Sequence, residues 1–158
     1  MDASRSKPGN GGIIAAAEGL AWDGRCLRFD GEPQILVGGS VFYFRLARED
    51  WAGRLAMVKA AGYNAVDVYF PWNFHEITEG EWDFTGRRDA AHFLDLVHAV
   101  GLKAIARPGP YICSEWEGGG LPAWLIGKNL DLRQNDPAYL EYVGRWFDRI
   151  IPILVERQ

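Results

Sequence analysis

The chain has 158 residues, a formal net charge of −4 at pH 7, 48% hydrophobic residues and 24% charged ones. That length is ample for one domain with its own core. The mild acidity and the lack of any Lys/Arg cluster argue against a nucleic-acid binder. No apolar run approaches the roughly 18 residues that a membrane span requires.

Residues 1–19 are small, polar and Gly-rich, and are expected to be mostly disordered. Their one apolar patch, IIAAA, is followed by Glu18 and makes a poor signal peptide, so the expected location is cytoplasmic. Two cysteines, Cys26 and Cys113, allow at most one bridge and are read as free thiols in a reducing compartment. Residues 20–158 are expected to form the ordered domain. CLRFDGEPQILVGGS reads as two short strands around the turn signal Asp30-Gly31. The second of them, roughly Gln34 to Gly39, is the expected first strand of the main sheet.

REDWAGRLAMVKAAG places Trp51, Leu55 and Val58 at helical spacing and stops at Gly62. NAVDVYF reads as a strand with Val66, Val68 and Phe70 on one face and Asp67 and Tyr69 on the other. A helix follows from about Arg87, with Phe93, Leu94, Val97 and Val100 on one face and Gly101 as its stop. LKAIA is the next strand. The last helix opens with Asp136 as N-cap and Pro137 at N1. It carries Leu140, Val143, Phe147, Ile150 and Leu154 on one face, and Pro152 is expected to kink or fray it. VKAAGYNAV (58–66) and VHAVGLKAI (97–105) share one pattern of helix end, Gly and strand start. Repeated strand–helix units of this kind predict an α/β fold with a parallel sheet.

Two strand ends then open into loops dense in aromatics, carboxylates and glycines: VDVYFPWNFHE (66–76) and RPGPYICSEWEGGGLPAWL (107–125). Barrel enzymes place such residues just past the C-terminal ends of their strands, where chemistry is done. Tyr, Trp and Glu in both loops suggest a sugar-binding cleft, since aromatic rings pack on flat C–H faces and carboxylates accept two hydroxyls. Trp72, Trp116 and Trp124 could stack on a sugar or fill a core. Glu76 is expected to order its loop or to pair with Arg107. Asp67 is expected to pair with Arg107 or Lys103, because an unpaired charge inside a barrel is costly. His75-Glu76 has no zinc spacing, and His92 and His98 do not share a helix face, so neither a metal nor another cofactor is indicated. The Gly118-Gly119-Gly120 run lacks the Lys-Ser/Thr of a phosphate loop and is read as a tight turn.

GGSVFYFR (38–45), VYFPWNFHE (68–76) and the 107–125 block resemble, in order and spacing, glycoside hydrolase family 35, the β-galactosidases. The resemblance runs from about Leu27 to Glu156. It implies a (β/α)8 barrel, retaining hydrolysis of terminal β-galactosides, and a β-galactoside or oligosaccharide as ligand. It implies that Tyr69 contacts the galactosyl ring, and that Cys113, Ser114 and Glu115 form the loop whose backbone and carboxylate hold its hydroxyls. Asn73 and Glu76, with Trp72 and Trp116, are loop-ordering or sugar-stacking candidates. Phe42 stands where the family commonly has His, Ser114 where it has Ala, and Ile77 where it often has Pro. A closed barrel needs about 250 residues. The chain is therefore expected to hold about the first three βα units, to lack both catalytic carboxylates, and to be inactive alone unless a downstream chain completes the barrel. An exo-glycosidase of other specificity, such as a β-glucosaminidase, and a non-catalytic sugar-binding fragment are the alternatives.

Overall fold

The computed structural model describes residues 14–17, 19–22 and 24–158, in two compact units divided between Leu36 and Val37. Most of the segment expected to be disordered, 1–13 and 18, lies outside the described residues; Ile14–Ala17 is described, as a strand.

The first unit is an antiparallel meander of β1 (Ile14–Ala17), β2 (Leu20–Trp22), β3 (Leu27–Phe29) and β4 (Glu32–Gln34), in that order. Phe29 pairs with Glu32, leaving Asp30 and Gly31 as a two-residue loop. Both have positive φ, 52° and 83°, which matches the twist that a two-residue hairpin needs.

The second unit is built on a parallel sheet of β5 (Gly38–Ser40), β6 (Ala65–Tyr69) and β7 (Lys103–Arg107), in the order β5-β6-β7. Gly38 is in register with Ala65, and Ala65 with Lys103. The first strand of this sheet is therefore not Gln34–Gly39. Gln34 is paired with Leu27 in the hairpin, so its backbone is unavailable to the parallel ladder, and the chain crosses between the units through Ile35 and Val37, which are 80% and 50% exposed.

Helix α1 (Trp51–Ala60) connects β5 to β6, and α3 (Ala90–Ala99) connects β6 to β7. Between them α2 (Trp72–His75) is one turn in the loop after β6. α3 begins at Ala90 rather than near Arg87, because the Asp89 carboxylate accepts from the His92 amide at 2.9 Å and caps it there. The core gathers Val66, Val68 and Phe70 from β6 and its end, Trp51 and Leu55 from α1, and Phe93, Leu94 and Val97 from α3. On the opposite face of β6, Asp67 meets Arg107 at 3.4 Å, one of the two partners expected for it.

After β7 come α4 (Ala123–Ile126) and α5 (Pro137–Val155). Asp136 caps α5, accepting from Ala138 N at 2.8 Å and Tyr139 N at 3.0 Å. Its buried face is Tyr139, Val143, Trp146 and Ile150, whereas Leu140 is 45% exposed. The expected stripe was one position off in phase at its start, since Tyr139 fills the first inward position. The helix continues through Pro152 to Val155. Trp146 joins α5 to the loop after β6. Its ring lies nearly parallel to those of Trp72, Trp82 and Phe84, with centroids 6.1, 6.2 and 6.5 Å away and planes within 16°.

Candidate functional site

The candidate site is built at the C-terminal ends of β5, β6 and β7. Tyr69, the last residue of β6, is in register with Arg107, the last of β7. The Arg107 guanidinium lies over the Tyr69 ring at 4.7 Å, and Phe42 meets the same ring edge-on at 5.5 Å. These contacts fix the ring. The Tyr69 hydroxyl bonds to no protein group among the described residues. Asp67 Oδ2 accepts from Arg107, while Oδ1 is buried without a partner.

The loop after β7 contains the least ordinary backbone of the chain. Cys113, Ser114 and Glu115 have φ of 60°, 52° and 47°. Left-handed backbone costs an L-residue about 1–2 kcal/mol, so three in succession require outside support. Ser114 Oγ donates to Ile112 O at 3.0 Å, and Trp116 N donates to Cys113 O at 3.0 Å. Ile112 and Gly119 close the base, with Ile112 N donating to Gly119 O at 2.8 Å. Gly119 itself has φ 61°, and a Cβ there would sit 1.9 Å from the Tyr111 ring. The glycine run is thus a tight turn, with a steric reason at Gly119. Arg45 Nη2 donates to the Ser114 and Glu115 carbonyls at 2.8 and 2.6 Å.

This loop is stapled to the one after β6. Trp116 Nε1 donates to Asn73 Oδ1 at 2.8 Å, and Asn73 Nδ2 donates to Glu117 O at 2.9 Å. Asn73 is therefore a loop-ordering residue. Trp116 stands edge-on to Phe44 at 4.7 Å and remains half-buried.

Several expectations for these two loops are corrected. Trp72 is wholly buried, its indole N–H donates to Glu76 Oε2 at 2.5 Å and its face is covered by Trp146, so it cannot stack on a sugar. Trp124 is packed edge-on against Trp72 and Tyr142 and donates its N–H to Glu76 O at 3.2 Å, which makes it structural as well. Glu76 does order its loop, accepting from Gly80 N at 2.7 Å, but its ionic neighbour is Arg145 at 3.8 Å and not Arg107. Arg107 points instead to Asp67 and Tyr69. Glu76 is fully buried, so it faces no cleft and cannot be one of two carboxylates flanking a sugar.

His75 is also buried. Its Nδ1 lies 3.0 Å from the Asp83 carbonyl, which can only accept, so Nδ1 carries the proton and Nε2 accepts from the Tyr43 hydroxyl at 2.6 Å. Burial chiefly pulls the His75 pKa down to about 4, with the Arg88 charge acting in the same direction. Burial likewise pushes the Tyr43 hydroxyl well up. This pair braces the 3₁₀ turn Tyr43–Arg45 against α2.

The site therefore brings together Tyr69, Cys113, Ser114, Glu115 and part of Trp116, and leaves out Trp72 and Glu76. Cys113 is exposed with a free thiol, and Glu115 is exposed with a carboxylate that meets no protein donor among the described residues. Ser114 donates its hydroxyl proton inside the turn, so its amide is the donor it has left for a ligand. Sequence reasoning missed Arg45 as an individual residue. Its signal was an uncompensated cation closing the aromatic block GGSVFYFR.

Residues 26–158 match the glycosyl hydrolases family 35. The beta-galactosidase of Mus musculus is 50% identical over 124 residues, covering 78% of this chain and 19% of the mouse protein. That of Homo sapiens is 48% identical over 124 residues, covering 78% and 18%. The chain thus spans about a fifth of the length of the curated relatives it matches. Among solved structures, an exo-beta-1,4-mannosidase, Op5Man5 from Opitutaceae bacterium strain TAV5, is similar in fold, with a TM-score of 0.59 and 21% identity over 90% of this chain and 24% of that one.

Proposed function

Because the chain belongs to the glycosyl hydrolases family 35, we propose that it forms the galactose-binding wall of a retaining β-galactosidase, built as part of a (β/α)8 barrel. One observation carries this reading: the left-handed turn Cys113–Glu115 in the loop after β7 holds a carboxylate and backbone amides that no group among the described residues uses. No acceptor among the described residues takes the amides of Cys113, Ser114 or Glu115. A carboxylate accepts two hydroxyls and amides each donate to one, which is the complement of a sugar edge. Tyr69, its ring held by Arg107 and Phe42, offers a further hydroxyl from the neighbouring strand.

The barrel reading is supported by the edges of the sheet. Parallel sheets are normally covered on both faces, yet β7 is exposed along most of its length, with Ile105 at 41%. Beside β5, an apolar groove of about 450 Å³ is lined by Val41, Phe42, Leu46 and Met57 among others. Further strands and helices of a closed barrel would cover both. Retaining hydrolysis uses two carboxyls about 5–5.5 Å apart. With Glu76 buried, the reacting pair on this reading comes from segments other than those described.

Titrating the chain with galactose, followed by tryptophan emission, tests the proposal. Saturable binding is expected, weakened roughly ten- to a hundred-fold by Glu115→Gln, since a hydrogen bond to a charged group contributes about 1.5–3 kcal/mol. Saturation by glucosamine but not galactose would change the sugar class, and saturation by neither would remove the site.

A further inference from the structure

We propose that Arg45 is the positioning residue of the sugar site: its guanidinium holds the Ser114 and Glu115 carbonyls and thereby keeps the left-handed turn in place, with the Glu115 amide and carboxylate turned toward the ligand. The inference rests on the galactoside reading for the identity of the ligand, but not for the geometry of the clamp.

Four observations carry it. First, a single nitrogen, Nη2, reaches both carbonyls, at 2.8 and 2.6 Å. The Ser114 carbonyl shares its peptide plane with the Glu115 N–H, and the Glu115 carbonyl shares its plane with the Trp116 N–H, which donates to Cys113 O. Holding both oxygens on one cation therefore fixes the two peptide planes that flank Glu115 and leaves its N–H directed away from the guanidinium. Second, the guanidinium is set by aromatic rings, 5.5 Å from the centre of Phe42 and 5.6 Å from that of Trp116. It therefore sits between the strand end that carries Phe42 and the loop it clamps. Third, no carboxylate pairs with Arg45 among the described residues. An exposed arginine without an acidic partner, bonded instead to two carbonyls of strained backbone, is placed for the backbone. Fourth, Arg45 ends the 3₁₀ turn that begins with Tyr43, whose hydroxyl is anchored to the buried His75. The clamp thus stands on rigid support, as a preorganised site requires.

Phe42 has a part in the same device. It touches both the Tyr69 ring at 5.5 Å and the Arg45 guanidinium at 5.5 Å. Two separate sugar-facing groups, the Tyr69 hydroxyl and the Cys113–Glu115 turn, are in this way referred to one aromatic ring.

The test uses Arg45→Met, which keeps an apolar stem between the rings and removes the donors, and Arg45→Lys, which keeps a charge but not the planar stacking. NMR of the 158-residue chain reads the turn directly, because a strong intraresidue HN–Hα cross-peak marks positive φ. The expected result is loss of that signature at residues 113–115 in Arg45→Met, a galactose Kd raised ten-fold or more, and an unchanged melting temperature. Arg45→Lys is expected to fall between Arg45→Met and the unaltered protein in both readouts. Retention of positive φ in Arg45→Met, or a Kd within two-fold of the unaltered protein, overturns the proposal. Should Arg45→Met fail to fold, Arg45→Lys decides it by the same two measurements. If the unaltered chain binds no galactose, the sugar reading fails by itself, and the backbone signature still decides whether Arg45 holds the turn.

Discussion

Arg107 lies 4.7 Å over the ring of Tyr69, the residue paired with it across the parallel ladder, and its Nη1 reaches Asp67 at 3.4 Å on the same face. Side chains on one face of adjacent strands meet at this range, so the last rung of the β6–β7 ladder fixes the Tyr69 ring.

Tyr69→Phe removes only the hydroxyl and leaves both ring contacts in place. The galactose Kd should rise about three- to ten-fold, corresponding to a net hydrogen bond of roughly 0.5–1.5 kcal/mol. The melting temperature should stay unchanged, because no protein partner is lost. A calorimetric titration beside a thermal melt checks both.

Trp116 is the half-buried indole of the candidate site. Trp116→Phe should remove most of the emission change on galactose addition, while binding followed by NMR weakens only a few-fold, since an aromatic contact is worth about 0.5–1.5 kcal/mol beyond its area. An undiminished emission change would assign the signal to another indole.

Glu76→Gln places an amide where a carboxylate accepts from Trp72 Nε1 and Gly80 N. At least one buried donor then faces another donor. A loss of about 2–3 kcal/mol is expected, read as a lower urea midpoint with an unchanged slope.

His75 gives the fold a defined acid sensitivity. Its folded pKa, about 4, lies below the ordinary 6.5, so between those values the unfolded chain binds the proton and the native one does not. Stability is therefore full above about pH 6.5 and declines as pH falls towards 4, by about 2 kcal/mol between pH 7 and pH 5. Asp83 acts lower down. Hydrogen bonds from the Thr85 hydroxyl and amide hold it below its ordinary 3.8, so its contribution is lost only as pH falls through that range. Urea unfolding at pH 7 and pH 5 should show the decline, and His75→Gln should flatten it.

The sheet and most helix ends were legible in the sequence because local rules settle them. Val66, Val68 and Phe70 alternate with Asp67 and Tyr69, and Asp136-Pro137 supplies both a cap and a fixed φ. The site was legible only in part. Trp72 and Trp116 read alike, as tryptophans just past a strand. What separates them is tertiary: the ring of Trp146 and the buried carboxylate of Glu76 enclose one, while Asn73 ties down the edge of the other and leaves it half-buried. Arg45 was hidden for a similar reason, since its partners are backbone carbonyls, which no side-chain pattern displays. The boundary near Gln34 was misplaced because a hairpin strand and a sheet strand follow each other with only Ile35, Leu36 and Val37 between them, and an apolar run alone cannot show where pairing changes hands.

The near-parallel rings of Trp72, Trp146, Trp82 and Phe84 have an optical consequence. Indoles about 6 Å apart with nearly aligned planes share their excited states, so their near-ultraviolet circular dichroism belongs to the group and not to any one ring. That band should report the seating of α5 against the loop after β6. Trp116, with Phe44, Phe74 and Asn73 for neighbours, stands outside the coupled set. That spectrum therefore follows the scaffold and is independent of Trp116.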